Sequence, residues 1–168
     1  MVFSTECLNS EYSWGGYEKI PFNTTRKDSE WVNSSVRKWL NEDFYGKCFS
    51  AQEKERILEV KHPIPKEVVI DPVGLLFTLF KKKPDFEPGE DKIFLVSGRE
   101  WISIAVYTDI LKRIPEGRNF ILRESEDRDG FICVKSVHIQ GGKDEYYFRT
   151  ENVDVPGLIY AAMWLSLT

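Results

Sequence analysis

Apolar positions along this chain follow different rules in different stretches. Val36, Trp39, Leu40 and Phe44 recur at three- and four-residue spacing behind Asn33 or Ser34, either of which can cap, so the period predicts an amphipathic helix that Gly46 ends. Ser50-Ala51-Gln52-Glu53 has the spacing of a capping box and opens a second helix, with Ile57 and Leu58 expected to turn inward. Ser97-Gly98-Arg99-Glu100 repeats that spacing ahead of Trp101, Ile104, Ala105, Leu111 and Ile114, which fall largely on one side and predict a third helix. The last fifty residues read as strands instead: 119–124, 131–140, 145–149 and 158–167, with Asp129-Gly130 and Gly141-Gly142 as turn residues.

The remaining segments fill in around these. The first thirty residues read as loop and short strands, Val2-Phe3-Ser4, then residues 12–17, then Ile20-Pro21-Phe22-Asn23, punctuated by glycines and Pro21. Residues 62–72 carry three prolines and the run Val68-Val69-Ile70, which suggests extended chain. Gly74 to Phe80 is apolar all round, and its periodicity is compatible with a buried strand or a short helix. Residues 81–92 hold four lysines and four acids with Pro84, Pro88 and Gly89 and are expected to be a surface loop. Ile93-Phe94-Leu95-Val96 reads as a buried strand. Two to three helices in the first two thirds and a late antiparallel sheet describe one α+β domain over residues 1–168.

Composition agrees with that size of core: 168 residues, 42% apolar and 14% aromatic, suffice without disulfide or metal staples. With 27 acids against 23 Lys and Arg the net charge is −4, which disfavours a dedicated phosphate-binding surface. Cys7, Cys48 and Cys133 form no C-x-x-C pair and read as small apolar residues of a reducing compartment. The N-terminal residues show neither the basic start nor the apolar run of a secretory signal, and no stretch reaches the roughly 18 apolar residues of a membrane span, so the expected location is the cytoplasm, away from membranes.

One constellation is specific enough to suggest kinship. Trp31, Ser34, Arg37, Trp39, Leu40 and Asn41, followed by Phe44-Tyr45 and by Phe49-Ser50-Ala51-Gln52-Glu53, spell W-x-x-S-x-x-R-x-W-L-N-x-x-F-Y and an F-S-x-E-like block. Asp91-Lys92-Ile93-Phe94-Leu95-Val96-Ser97, Ile121-Leu122-Arg123-Glu124-Ser125 and a Trp164-containing ending follow in order. The chain thereby resembles an uncharacterised bacterial domain family, although the family's closing Arg-Pro-Ala is replaced by Tyr160-Ala161-Ala162. The resemblance implies a C-type-lectin-like α+β architecture and carries no activity with it. It also implies members that occur in larger surface proteins or as products of mobile elements.

Chemistry is sparse. Trp31, Arg37, Trp39 and Trp164 are expected to specify the fold: Trp39 shares the stripe of Val36 and Leu40, while Arg37 lies off it and should bridge to an acid such as Asp43 or Glu124. His62 and His138 lie far apart, and no His or Cys pair has zinc spacing, so no metal and no cofactor are expected. The acid-rich Glu124 to Asp129 lacks the order of a calcium loop, and the tripeptides of calcium-dependent sugar binding are missing. No nucleophile elbow, P-loop or dinucleotide fingerprint is present, and Cys133 and His138, five residues apart on one strand, point to opposite faces. A non-enzymatic role follows as the expectation, with another protein as partner and nucleic acid disfavoured. The contact residues expected are Phe80, Lys81, Lys82, Lys83 and Phe86, with Glu126, Asp127 and Asp129 at an acidic hairpin as second candidates. In its specific form the expectation is an inhibitor of a host protein, for example of a defence system, encoded by a phage or mobile element. The alternatives are a lectin-like ligand-binding domain and an enzyme whose site is assembled from scattered residues.

Overall fold

The computed structural model describes residues 1–4, 7–8, 20–25, 30–62, 89–107, 119–128, 131–140, 145–155 and 158–166. The described elements are β1 (Val2–Phe3), a 3-10 turn (Trp31–Asn33), α1 (Ser35–Lys38), a π-helical segment (Trp39–Phe44), α2 (Tyr45–Cys48), α3 (Ala51–Lys54), β2 (Ile57–Leu58), β3 (Phe94–Leu95), α4 (Gly98–Tyr107), β4 (Asn119–Arg128), β5 (Phe131–Gln140), β6 (Glu145–Asn152) and β7 (Ala161–Leu165). The α+β class read from the sequence is therefore the class of the structure.

Two antiparallel sheets organise the chain. In the first, β7 is central: β1 pairs with one side of it through Phe3↔Ala162, while β3 and β2 pair with it through Phe94↔Ala162 and Ile57↔Leu165. The first and last described strands are thus neighbours. The second sheet is the meander β4-β5-β6, with a register shift in β4 between Ile121 and Ser125. Backbone bonds from Ile121 to Leu158 and from Arg123 to Val96 tie β4 to the first sheet.

Local chemistry explains the helices. Ser34 Oγ accepts the Arg37 N–H and starts α1, whose Val36 and the following Leu40 are fully buried. Both capping boxes form as their spacing predicts: Ser50 with Glu53, and Ser97 with Glu100, where Ser97 Oγ accepts the Glu100 N–H at 3.2 Å and Glu100 Oε2 accepts the Ser97 N–H at 2.7 Å. Trp101, Ile104 and Ala105 face the core from α4, and Ile102 and Val106 face out. Leu111 and Ile114 lie outside the described residues.

Four expectations change. Gly46 lies inside α2, so the helical run continues to Cys48 instead of ending at the glycine. The second helix ends at Lys54, so Ile57 and Leu58 are strand residues; the two-residue alternation buries Ile57 and leaves Leu58 exposed. The strand expected over 119–124 runs on to Arg128, which carries Glu126 into β4 as a half-buried strand residue. The last strand is shorter than expected, Ala161–Leu165.

Trp101 joins the layers. It is fully buried, and its ring lies 4.8 Å from Phe120 of β4, 5.6 Å from Tyr146 of β6 and 6.0 Å from Phe3 of β1. Trp101→Ala should therefore lower unfolding free energy by about 3–5 kcal/mol in a urea titration. Trp164→Ala, at a site 44% exposed, should change it by less than about 1 kcal/mol.

Candidate functional site

The polar residues of the helical motif converge on one buried carboxylate. Asp91 is 2% exposed; its Oδ2 accepts the Trp31 indole N–H at 2.6 Å, and its Oδ1 accepts Arg37 Nε–H at 2.5 Å. His62 Nε2 stands 3.2 Å from Oδ2 but is not aligned to donate a hydrogen bond to it, and the ring packs edge-on against Phe94 at 4.4 Å. The rest of the Arg37 guanidinium donates to the Val32 and Glu90 carbonyls. Burial by itself would raise the Asp91 pKa; the close approach of His62, the hydrogen bond from the Trp31 indole and the charge of Arg37 outweigh it and hold the carboxyl below its ordinary value.

Asn41, in the π-helical segment, extends the clamp to the next strand. Its amide donates to the Ile93 carbonyl at 2.8 Å and to the Arg37 carbonyl at 3.1 Å, while its carbonyl oxygen accepts the Lys92 and Ile93 N–H groups. Gly89, at φ +92°, lets the chain turn into this region, and a Cβ there would come within 3.0 Å of the Arg37 guanidinium. The side chains of Trp31, Ser34, Arg37 and Asn41 are thus all engaged within the fold.

The partner of Arg37 differs from expectation. Asp43 pairs with Lys47 on its own helix at 3.6 Å and Glu124 with Lys135 across β4 and β5 at 3.6 Å; Asp91 lies 54 positions from Arg37 and was read as part of a surface loop. Its burial makes residues 89–92 one side of a two-stranded neck. Val60 and Asp91 exchange both backbone bonds at 2.9 Å, flanked by the ion pairs Lys61–Glu90 and Lys92–Glu59.

Trp39 is half-buried on the flank of the core, 5.3 Å from Phe44, while Trp164 is exposed beside Leu58, its partner in register on β2. A second structural arginine, and a buried one, was not singled out: Arg123, 3% exposed, donates to the Leu95 carbonyl at 2.8 Å, lies 3.3 Å from Glu100 and faces the Phe94 ring. The basic residue in the apolar run Ile121-Leu122-Arg123 was its available signal.

Of the expected contact residues, Phe80, Lys81, Lys82, Lys83, Phe86 and Asp129, with the side chain of Asp127, lie outside the described residues. The described surface offers two other features. An open depression of about 260 Å³ runs along the helix between Val32 and Glu42, but its Ser34, Arg37 and Asn41 side chains are already engaged as above. The second is β6, the end strand of its sheet, which pairs with β5 alone among the described residues. Tyr147 and Phe148 on it are 38% and 43% exposed.

The two residues serve opposite faces. Arg149 donates to the Tyr147 hydroxyl, and its guanidinium lies 4.8 Å from the centre of that ring. Across the ladder His138 packs on Tyr147 at 4.8 Å and donates through Nδ1 to Asn119 Oδ1, whose amide donates to Glu151. On the other face Phe148 packs edge-on against Tyr146 and lies over Gly98 at the start of α4, one turn from the exposed Ile102. The run Tyr146-Tyr147-Phe148-Arg149 was visible in the sequence as strand; its edge position was not.

No helix among the described residues is long and apolar enough to cross a membrane, and no group of three or more His, Cys, Asp or Glu among them is placed to hold a metal. A family model described as a domain of unknown function, DUF6273, matches residues 4–154. No curated protein and no solved structure matches the chain.

Removing one half of the buried pair leaves the other charge uncompensated, so Arg37→Met should cost about 3 kcal/mol in chemical denaturation. Asp91 predicts the pH dependence. Because the native state keeps this carboxyl ionised to lower pH than the unfolded chain does, its contribution is complete well above the ordinary aspartate value of 3.8 and is lost as the pH falls through and below it. Asp91→Asn should be less stable at neutral pH and should lose less of its stability on acidification than the parent, as read from melting midpoints across the acid range.

Proposed function

We propose that this chain, which belongs to the DUF6273 family of domains of unknown function, is a non-catalytic protein-binding module that takes an extended segment of its partner along β6. The observation that carries the reading is the exposed run Tyr147, Phe148 and Arg149 on β6, the end strand of the β4-β5-β6 order among the described residues. Main-chain groups of an end strand supply affinity to an added strand, and side chains alternating across the two faces supply selectivity. Aromatic residues and arginine are also the types that most often dominate binding energy. The engagement of the motif's polar groups in the fold supports a module without a reaction centre of their making. Inhibition of a host protein is the specific form of this function in the proposal.

The pairing of β1 with β7, with helices placed between them in the chain and a separate meander, supports a C-type-lectin-like arrangement as the finer description of the fold. A lectin-like ligand-binding role is the second reading, and this topology is the observation in its favour.

The double variant Tyr147→Ser/Phe148→Ser should keep the parent's melting temperature within a few degrees and lose at least about tenfold in affinity for a protein captured stoichiometrically by the parent, or about 1.4 kcal/mol. Capture on the immobilised chain, followed by titration of the identified partner, measures this. A variant that binds as the parent does removes β6 from the interface, and binding on a glycan array without any protein partner favours the second reading.

A further inference from the structure

We infer that the cavity between α3 and the end of β7 is a binding site for a small monocarboxylate with an apolar, ring-sized body. The cavity measures about 220 Å³ and is lined by Phe49, Glu53, Arg56, Ile57, Met163 and Leu165. Ile57 and Leu165 are paired in register across β2 and β7, and Met163, two residues along β7, shares their face of the sheet. Phe49 closes one side, held by ring contacts to Phe44 at 5.9 Å and Tyr45 at 6.0 Å. Four of the six lining side chains are apolar, and Met163 and Leu165 are only partly buried although their strand is the centre of its sheet.

The two charged residues of the lining differ in what they have left to offer. Glu53 closes the capping box of α3: its Oε2 accepts the Ser50 N–H at 2.8 Å and the Ser50 hydroxyl at 2.7 Å. Arg56 is anchored through its backbone, whose N–H donates to the Glu53 carbonyl and whose carbonyl accepts the Ser166 N–H at 2.9 Å, while its guanidinium has no carboxylate partner among the described residues. The cavity therefore combines apolar walls with one uncommitted cation. A guanidinium pairs best with a planar carboxylate, which it meets with two parallel hydrogen bonds. Volume sets the rest of the ligand: an apolar cavity of about 150 Å³ holds benzene, so this one has room for a ring and a short acid arm but not for a drug-sized molecule.

Phenylacetate titrated into the whole chain, followed by backbone amide NMR, tests the site. Saturable shifts should concentrate on residues 49–57 and 163–165, and phenylacetamide and phenethylamine should bind at least tenfold more weakly. Arg56→Gln, a change at an exposed position, should leave the melting temperature unchanged and weaken phenylacetate at least tenfold; Met163→Trp should fill the cavity and abolish the shifts. If Met163→Trp does not fold, Arg56→Gln alone decides. The inference is overturned by the absence of saturable shifts at millimolar ligand, by shifts elsewhere, by an amide that binds as well as the acid, or by an Arg56→Gln chain that binds as the parent does. None of these outcomes depends on whether a protein partner engages β6.

Discussion

A carboxylate removed from water must be matched by charge and hydrogen bonds or it will not stay ionised, and in this chain that carboxylate is Asp91. Trp31 and Arg37 reach it from the helical motif and His62 from the far side of the neck, so one side chain holds together three segments that are remote in sequence. Asn41 adds the register of the strand that follows. The same contacts bring residues 59–62 against residues 89–92, where Arg37 also holds the Glu90 carbonyl. Arg123 repeats the solution between β4, the Leu95 carbonyl and the cap of α4. The half-buried Arg37 and the buried Arg123, each with an acid and a backbone carbonyl, lock the register between secondary elements where apolar packing alone would tolerate sliding.

How much of this was legible depends on range. Ser50 with Glu53 and Ser97 with Glu100 are three residues apart, and their capping boxes could be read directly. The stripe of Val36 and Leu40 and the buried run Ile93 to Val96 followed from period and composition alone. Ile57 and Leu58 could not be placed, because a two-residue strand shows no period and only pairing with β7 defines it. Arg37 was seen to need an acid, but choosing Asp91 required knowing that residues 37 and 91 meet; nearer acids were the natural candidates. Edge position is another non-local property: residues 145–149 read correctly as strand, and only the order β4-β5-β6 makes them a surface.

The residues of the helical motif are ones that build this fold. Trp31, Ser34, Arg37 and Asn41 all point into caps, backbone groups or Asp91, so a chain can keep the signature while the surface that meets a ligand changes. Tyr160-Ala161-Ala162 at the close of the chain fit this division. Ala161 and Ala162 are buried where β7 is crossed by β1 and β3, and Tyr160 packs on Phe120 at 5.3 Å, so these positions also work in the core. What the domain binds must be sought outside the signature, on β6 and in the cavity beside α3.

An end strand is a hazard unless it discriminates, and β6, the end strand among the described residues of its sheet, carries features that do so. Arg149 and Glu151 interrupt its aromatic run, which opposes indiscriminate strand pairing. The outward groups on the Tyr147 face are already ordered: Arg149 rests on Tyr147, and Asn119, itself bonded to Glu151, orients His138 against the same ring. Immobilising a rotamer-rich side chain on binding costs about 0.5–1.5 kcal/mol. Side chains that hold one another before the partner arrives have less of that freedom to lose, so a short interface along one strand can reach useful affinity without a large buried area. A partner that lacks groups to match Arg149 and Tyr147 would instead desolvate them without compensation, and the same arrangement would reject it.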